Sequence, residues 1–325
     1  MVTTITPSQI ETANSQIKDG GVPRVSVFVG GTAGIGKAAL KALASRDLSM
    51  KIYLVGRKEK EGKSIIDEIH KLNSKAEIIW LGGEISLMSE TKRLVQLIKQ
   101  QEKTIDLLFL SAGFLPFRAR EETSEGVELA LAVAYYSRMS FIMQLLLLMR
   151  TASPNSRSYP PRIVNVLAPG RESDNIFLDD LMLKKPGAYN LLNWAVHSVT
   201  MTTSTLSALA KQAENDGVTF IHAHPGVVKT DLVKNSWGDE WKSSMEHPNL
   251  PESSPRLSAE ESGQRSLFLI TNAMYSGEEQ GGSFLSVDSN MACLDQQELF
   301  KKLEAVGAPD IIWGQTMEIL GPSLA

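Results

Sequence analysis

The sequence contains a single cysteine, Cys293, among 325 residues. An internal disulfide needs two, so none can form, and the chain fits a reducing compartment such as the cytoplasm. Cys293 reads as an ordinary free structural thiol. There is no surplus of charge of one sign: 33 Lys+Arg stand against 37 Asp+Glu, a formal net charge of −4. Such a balance offers no electrostatic footprint for nucleic acid or for an anionic membrane. Long apolar runs are also missing. The most apolar, residues 141–149 (FIMQLLLLM), is far shorter than the roughly 20 residues that cross a bilayer; it reads as part of a buried helix. The N-terminus, MVTTITPSQIETANSQIKDG, lacks the apolar core and early basic cluster of a secretory signal. No internal repeat is visible. The composition, 42% hydrophobic and 22% charged, excludes collagen-like, coiled-coil and disordered chains.

What is present is a rhythm. Apolar runs with strand character at 25–30, 51–56, 76–82, 105–113, 162–168, 218–226 and 282–288 alternate with helical patterns at 37–45, 61–73, 89–101, 128–150 and 190–213. Strands that are apolar throughout, separated by helices, predict a parallel sheet covered on both faces. The expectation is a single α/β domain, a Rossmann-type doubly wound sheet of about seven strands over residues 24–325. Ahead of it, Thr6 as N-cap, Pro7 at the first helical position and Gln9 three after the cap predict a short helix within a 1–23 extension. The Pro-, Ser- and Trp-rich segment 235–260 follows a strand end, where open α/β sheets bind ligands. It reads as a loop over the substrate.

The first strand runs into Gly30-Gly31-Thr32-Ala33-Gly34-Ile35-Gly36. A tight strand-to-helix turn needs residues without a β-carbon, and a pyrophosphate must approach backbone N–H groups at a helix N-terminus. The second strand ends at Arg57, where a dinucleotide's adenosine ribose lies. A basic residue there suits a 2′-phosphate, so NADP(H) is expected over NAD(H), with Lys37 adding charge nearby.

With these motifs on the page, residues 24–290 resemble the short-chain dehydrogenase/reductase family. GGTAGIG matches its cofactor turn, with Gly30, Thr32, Gly34, Ile35 and Gly36. Glu84 stands where the family has an acidic residue near the adenine. Ser111-Ala112-Gly113 matches its Asn-Ala-Gly, and Pro225-Gly226-Val227-Val228-Lys229-Thr230 matches the motif whose Thr helps hold the nicotinamide carboxamide. IFLDDL (176–181) is similar to the retinol-dehydrogenase-type branch and its fungal relatives. The resemblance implies a small-molecule substrate and, in many members, dimers or tetramers built through the long helices.

The family's catalytic Asn, Ser, Tyr and Lys are mostly absent. Ala134, Ala168 and Asn193 occupy the Asn, Ser and Lys positions, and only Tyr189 survives. A Lys four residues after the Tyr on a helix would share its face and lower the phenol from its usual value near 10. Neutral Asn193 lacks that Coulomb attraction, though it can bond a nicotinamide ribose hydroxyl. Losing the Ser hydroxyl typically costs on the order of a hundredfold in rate.

Three readings follow. The first is an NADP(H)-dependent oxidoreductase of an apolar, secondary-metabolite-like substrate, in which Tyr189, helped by Tyr135, Tyr136, Ser137 or Arg138, protonates the product. The second is a non-redox isomerase, dehydratase or cyclase, and the third a cofactor-binding pseudoenzyme. Ala168, Tyr135, Trp237 and Trp241 are expected to line the substrate pocket. His222 and His224, two apart on a strand, have no evident third ligand, so no metal is expected. His197 reads as packed or capping.

Overall fold

A computed structural model of the chain describes residues 5–18, 20–152, 159–237, 256–276 and 283–324. Most of the expected substrate loop, including Trp241, lies outside them.

Seven strands make one sheet: β1 (Val25–Val29), β2 (Met50–Gly56), β3 (Ala76–Gly82), β4 (Leu107–Leu110), β5 (Arg162–Val166), β6 (Thr219–Ala223) and β7 (Phe284–Val287). Their order is β3-β2-β1-β4-β5-β6-β7, and every neighbouring pair is parallel. The strand order reverses between β1 and β4, the crevice where doubly wound sheets bind ligands.

The helices are α1 (Pro7–Ser15), α2 (Gly34–Ala44), α3 (Glu59–Leu72), α4 (Met88–Gln101), α5 (Leu129–Arg150), α6 (Leu191–Ala210), α7 (Leu232–Trp237), α8 (Ala259–Thr271), α9 (Gln297–Ala305) and α10 (Ala308–Leu324). Strands that are apolar on both faces need two covers. Phe28, Leu54 and Phe109 face α2, α3 and α8, while Val27, Val55 and Leu108 face α4, α5, α6 and α10.

The α1 helix starts with the expected capping box, in which Thr6 and Gln9 bond reciprocally. It lies on α8, where Asn14 Nδ2 donates to the Gln264 carbonyl at 2.9 Å. α5 is long and apolar enough to cross a membrane, but 83% of its most apolar window is buried inside the fold. It is one of the helices that cover the sheet.

Two local details depart from the periodicity. α5 contains a widened π-turn over Ala132–Tyr136, closed by the Ser137 N–H donating five residues back to Ala132. α6 begins at Leu191, not before Tyr189, because the Asn190 side chain caps it by accepting from Asn193 N. The seam between α5, α6 and α10 is polar at one point. The Tyr135 hydroxyl sits 2.6 Å from both Thr205 Oγ1 and Thr316 Oγ1.

Candidate active site

The glycine turn is shaped by close approaches. Gly30 has φ +96°, and a β-carbon there would fall 2.4 Å from the Ala112 nitrogen. One on Gly36 would fall 2.3 Å from both the Gly30 carbonyl oxygen and Ser111 Oγ. Ser111 Oγ also donates to the Gly30 carbonyl at 3.3 Å. Ala33, the N-cap of α2, makes no side-chain cap, so the first amides of the helix are not taken by a capping side chain, as an anion site at a helix N-terminus requires. Thr32 touches the Gly56 end of β2, and Thr230 packs against Gly34. Ile35 anchors the start of α2 in the core. The 225–230 segment turns at Gly226, φ +75°, and Val228 bridges to Leu257. Gly30, Gly36, Ser111 and Ala112 thus pack into one tight turn at the crevice between β1 and β4, with Thr230 beside Gly34. Added β-carbons on Gly30 and Gly36 would strike neighbouring chain, so only glycine permits this turn, and a tight glycine turn at a helix N-terminus beside the switch point fits a dinucleotide.

At the far end of that crevice, Arg57 Nη1 lies 3.5 Å from Glu84 Oε2. Two residues expected to contact the cofactor separately are thus paired with each other. Lys37, expected to add charge there, is held instead by Glu68 at 2.7 Å.

Tyr189 does not share a helix face with Asn193. It stands before α6, half-buried, and its hydroxyl donates to Glu128 Oε1 at 3.0 Å. Asn193 turns its amide back to the Ala188 carbonyl at 2.8 Å. Glu128 is buried and caps α5: Oε1 accepts from Ala130 N at 2.9 Å and Oε2 from Leu131 N at 2.7 Å. Burial raises the Glu128 carboxyl against the pull of those two amides. Burial, then the adjacent Glu128 charge, pushes Tyr189 well above the ordinary phenol range. The effect is opposite to that of a neighbouring lysine.

The cleft around this pair encloses about 150 Å³ between the loop after β4 and α7. Phe114, Leu115, Pro116 and Phe117 give it an apolar wall, and Glu121, Glu128 and Tyr189 a polar one. Trp237 stacks on Phe117, with ring centroids 5.3 Å apart and planes 13° apart, so it buttresses this wall. Tyr135 is a correction. It is fully buried at the α5–α6–α10 seam and is not a cleft residue, because its hydroxyl is spent on Thr205 and Thr316. Ala134 is buried in the π-turn, and Ala168 is half-buried just past β5.

Arg138, one of four candidates for assisting Tyr189, has a different post. Its guanidinium donates to Asn165 Oδ1 at 3.0 Å, the Val166 carbonyl at 2.7 Å and the Ala112 carbonyl at 2.6 Å. Burial lowers it to about 9. It ties the ends of β4 and β5 together behind the crevice. His222, in register with Asn165, has Nδ1 2.9 Å from Thr203 Oγ1. His197 Nε2 accepts from Phe177 N at 3.1 Å, a capping role.

Sequence reasoning missed Glu128 as a site residue. It contacts Tyr189 across 61 residues of chain, and no local spacing encodes such a pair.

Residues 24–167 match the short chain dehydrogenase family. Oxidoreductase AN1596 of Emericella nidulans is 35% identical over 251 residues, 77% of this chain and 72% of that protein. Oxidoreductase andH of Emericella variicolor is 34% identical, with 86% and 80% covered. The NADPH-bound carbonyl reductase from chicken fatty liver superposes with a TM-score of 0.56 at 17% identity, covering 83% of this chain and 98% of that one. The chain belongs to the short-chain dehydrogenase family.

Proposed function

We propose that this protein is an NADP(H)-dependent oxidoreductase acting on a carbonyl or hydroxyl group of a small, largely apolar substrate of the secondary-metabolite type. The observation that carries the reading is the placement of Tyr189. Its hydroxyl lies in an apolar-walled cleft whose wall begins at Phe114, one residue past the Ser111-Ala112-Gly113 turn packed on Gly30. NADP(H), when bound, supplies or accepts the hydride. Gly30, Gly34 and Gly36 would give its phosphates room, and Arg57, beside Glu84, would hold the ribose 2′-phosphate. Ser111, Ala112, Gly113, Pro225, Gly226, Val228 and Thr230 would hold the nicotinamide end. Asn193 holds the chain before α6 through Ala188, which fixes where Tyr189 stands. The fungal oxidoreductases among its relatives and the NADP-bound structural neighbours support the reading.

A second reading, non-redox proton transfer on the same scaffold, draws support from the carboxylate placed against Tyr189. Calorimetric titration with NADPH and NADH, followed by NADPH consumption against a panel of apolar ketones and aldehydes, tests both. Tighter NADPH binding with consumption is expected. Binding without consumption, together with rearrangement of an added substrate, would favour the second reading.

A further inference from the structure

A phenol has one hydrogen to give, and an ionised carboxylate can only accept. In this cleft the Tyr189 hydroxyl is 3.0 Å from Glu128 Oε1. While Glu128 is ionised, that hydrogen is spent on Glu128 and is turned away from any substrate oxygen. When Glu128 carries a proton on Oε1, the direction reverses. The carboxyl donates to Tyr189 Oη, and the phenolic hydrogen is free to face the cleft.

The other charged and titratable groups around the pair do not take over this task. Arg120 and Glu121 come from the loop before α5. Arg120 is committed to the Met182 carbonyl at 3.3 Å and to Glu122 at 2.9 Å, and Glu121 adds like charge. Tyr136, from the π-turn, hydrogen-bonds to Gln315 at 3.3 Å. Asn193, at the family's lysine position, is turned to Ala188.

We propose that Glu128 is the proton reservoir of the site and gates Tyr189, so that the protein works as a reductase and only in the protonated form of the pair. This rests on the oxidoreductase reading above. In the reductive step the substrate carbonyl carbon gains a hydride and its oxygen takes the phenolic hydrogen of Tyr189. Tyr189 Oη is reprotonated by Glu128 Oε1, leaving a carboxylate. After the alcohol leaves, water in the cleft protonates Tyr189 as Tyr189 returns its hydrogen to Glu128. One carbonyl, one hydride and one solvent proton give one alcohol. Glu128 acts through Tyr189 and is a positioning residue for the proton.

Two measurements on the full chain test this. Carbon NMR of tyrosine labelled at Cζ, with the Tyr189 signal assigned from Tyr189→Phe, reads the phenol titration without any turnover. Glu128→Gln should lower the Tyr189 midpoint by about one pH unit or more, since a neighbouring negative charge is gone. An unchanged midpoint would overturn the proposal. The second is the pH profile of reductive kcat. The wild type should fall about tenfold per pH unit above the titration of Glu128, and Glu128→Gln should abolish that limb. A flat wild-type profile would also overturn it. If Glu128→Gln does not fold, Glu128→Asp, one methylene shorter, should withdraw from Tyr189 and shift the same NMR midpoint. If wild-type protein never consumes NADPH, the oxidoreductase reading fails, while the NMR titration still decides whether Glu128 holds the Tyr189 proton.

Discussion

Gly30 lies so close to Ala112 that a β-carbon on it would fall 2.4 Å from the Ala112 nitrogen and 2.6 Å from its α-carbon. The turn after β1 and the turn after β4 therefore pack backbone against backbone, and this contact sets the width of the crevice. Gly30→Ala should abolish NADPH binding in calorimetry. It should also cost about 1–3 kcal/mol or more in urea unfolding, because φ +96° is strained for alanine even before the clash. Gly36→Ala, pressed against Gly30 and Ser111, should behave alike. Retained NADPH affinity in both variants would refute the crevice as the cofactor site.

On the proposed reading, Arg57 and Glu84 set cofactor choice as a pair. Arg57→Ala should weaken NADPH about 10- to 100-fold relative to NADH, the loss expected for hydrogen bonds to a charged group. Glu84→Gln should strengthen NADPH, since Arg57 no longer divides itself between a carboxylate 3.5 Å away and the ligand. Equal ratios in wild type and Arg57→Ala would remove Arg57 from the site.

Tyr189→Phe should lower reductive kcat by about 10²- to 10⁴-fold, the range for a positioned general acid, with NADPH affinity intact. Glu128 would then lack a hydroxyl partner but keep both backbone amides, so the fold should survive. Full activity in this variant, measured by NADPH consumption, would exclude Tyr189 as the proton donor.

His222 links pH to stability. Burial, then Arg138 and His224, lowers it from 6.5 to about 3 in the folded chain. The unfolded chain therefore binds a proton that the folded chain refuses between those values. The stability due to neutral His222 is present above about 6.5 and is lost as pH falls toward 3, at up to about 1.4 kcal/mol per pH unit. His222→Asn should flatten the difference in urea midpoints between pH 4 and pH 7. Identical slopes in both proteins would deny the linkage.

Tyr135→Phe should cost about 1–3 kcal/mol, because two buried threonine hydroxyls lose a partner at 2.6 Å. NADPH binding should be untouched, since Tyr135 is remote from cleft and crevice alike. A loss of binding without a loss of stability would return Tyr135 to the substrate pocket.

These expectations show where local sequence suffices. The glycine turn is legible because Gly30, Gly34 and Gly36 act within seven residues of one another. The sheet is legible because its strands are apolar throughout, a pattern that only double-sided burial produces. The capping box at Thr6 and Gln9 is equally local. Tyr189 is visible as a residue but not as a pair, because Glu128 is brought to it by the return of the chain through β5. The same holds for Tyr135, which reads as a pocket residue because nothing local reveals its threonine partners on two other helices. The 190–213 pattern brings the start of α6 to within one residue of Leu191, where the Asn190 cap fixes it. Arg57 and Glu84 are each legible as charged residues near strand ends, yet their mutual contact depends on how β2 and β3 end side by side.

The π-turn at Ala132–Tyr136 holds one residue more than a regular helical path would. An α-helix advances about 100° per residue. Winding the turn regularly with that residue kept would swing every later side chain of α5 relative to the earlier ones by about that angle. Arg138 would leave the Ala112 and Val166 carbonyls, and the ends of β4 and β5 would lose their common tether. The site thus hangs on one wide turn: by absorbing a single extra residue upstream of the arginine, it keeps the guanidinium on the Val166 and Ala112 carbonyls.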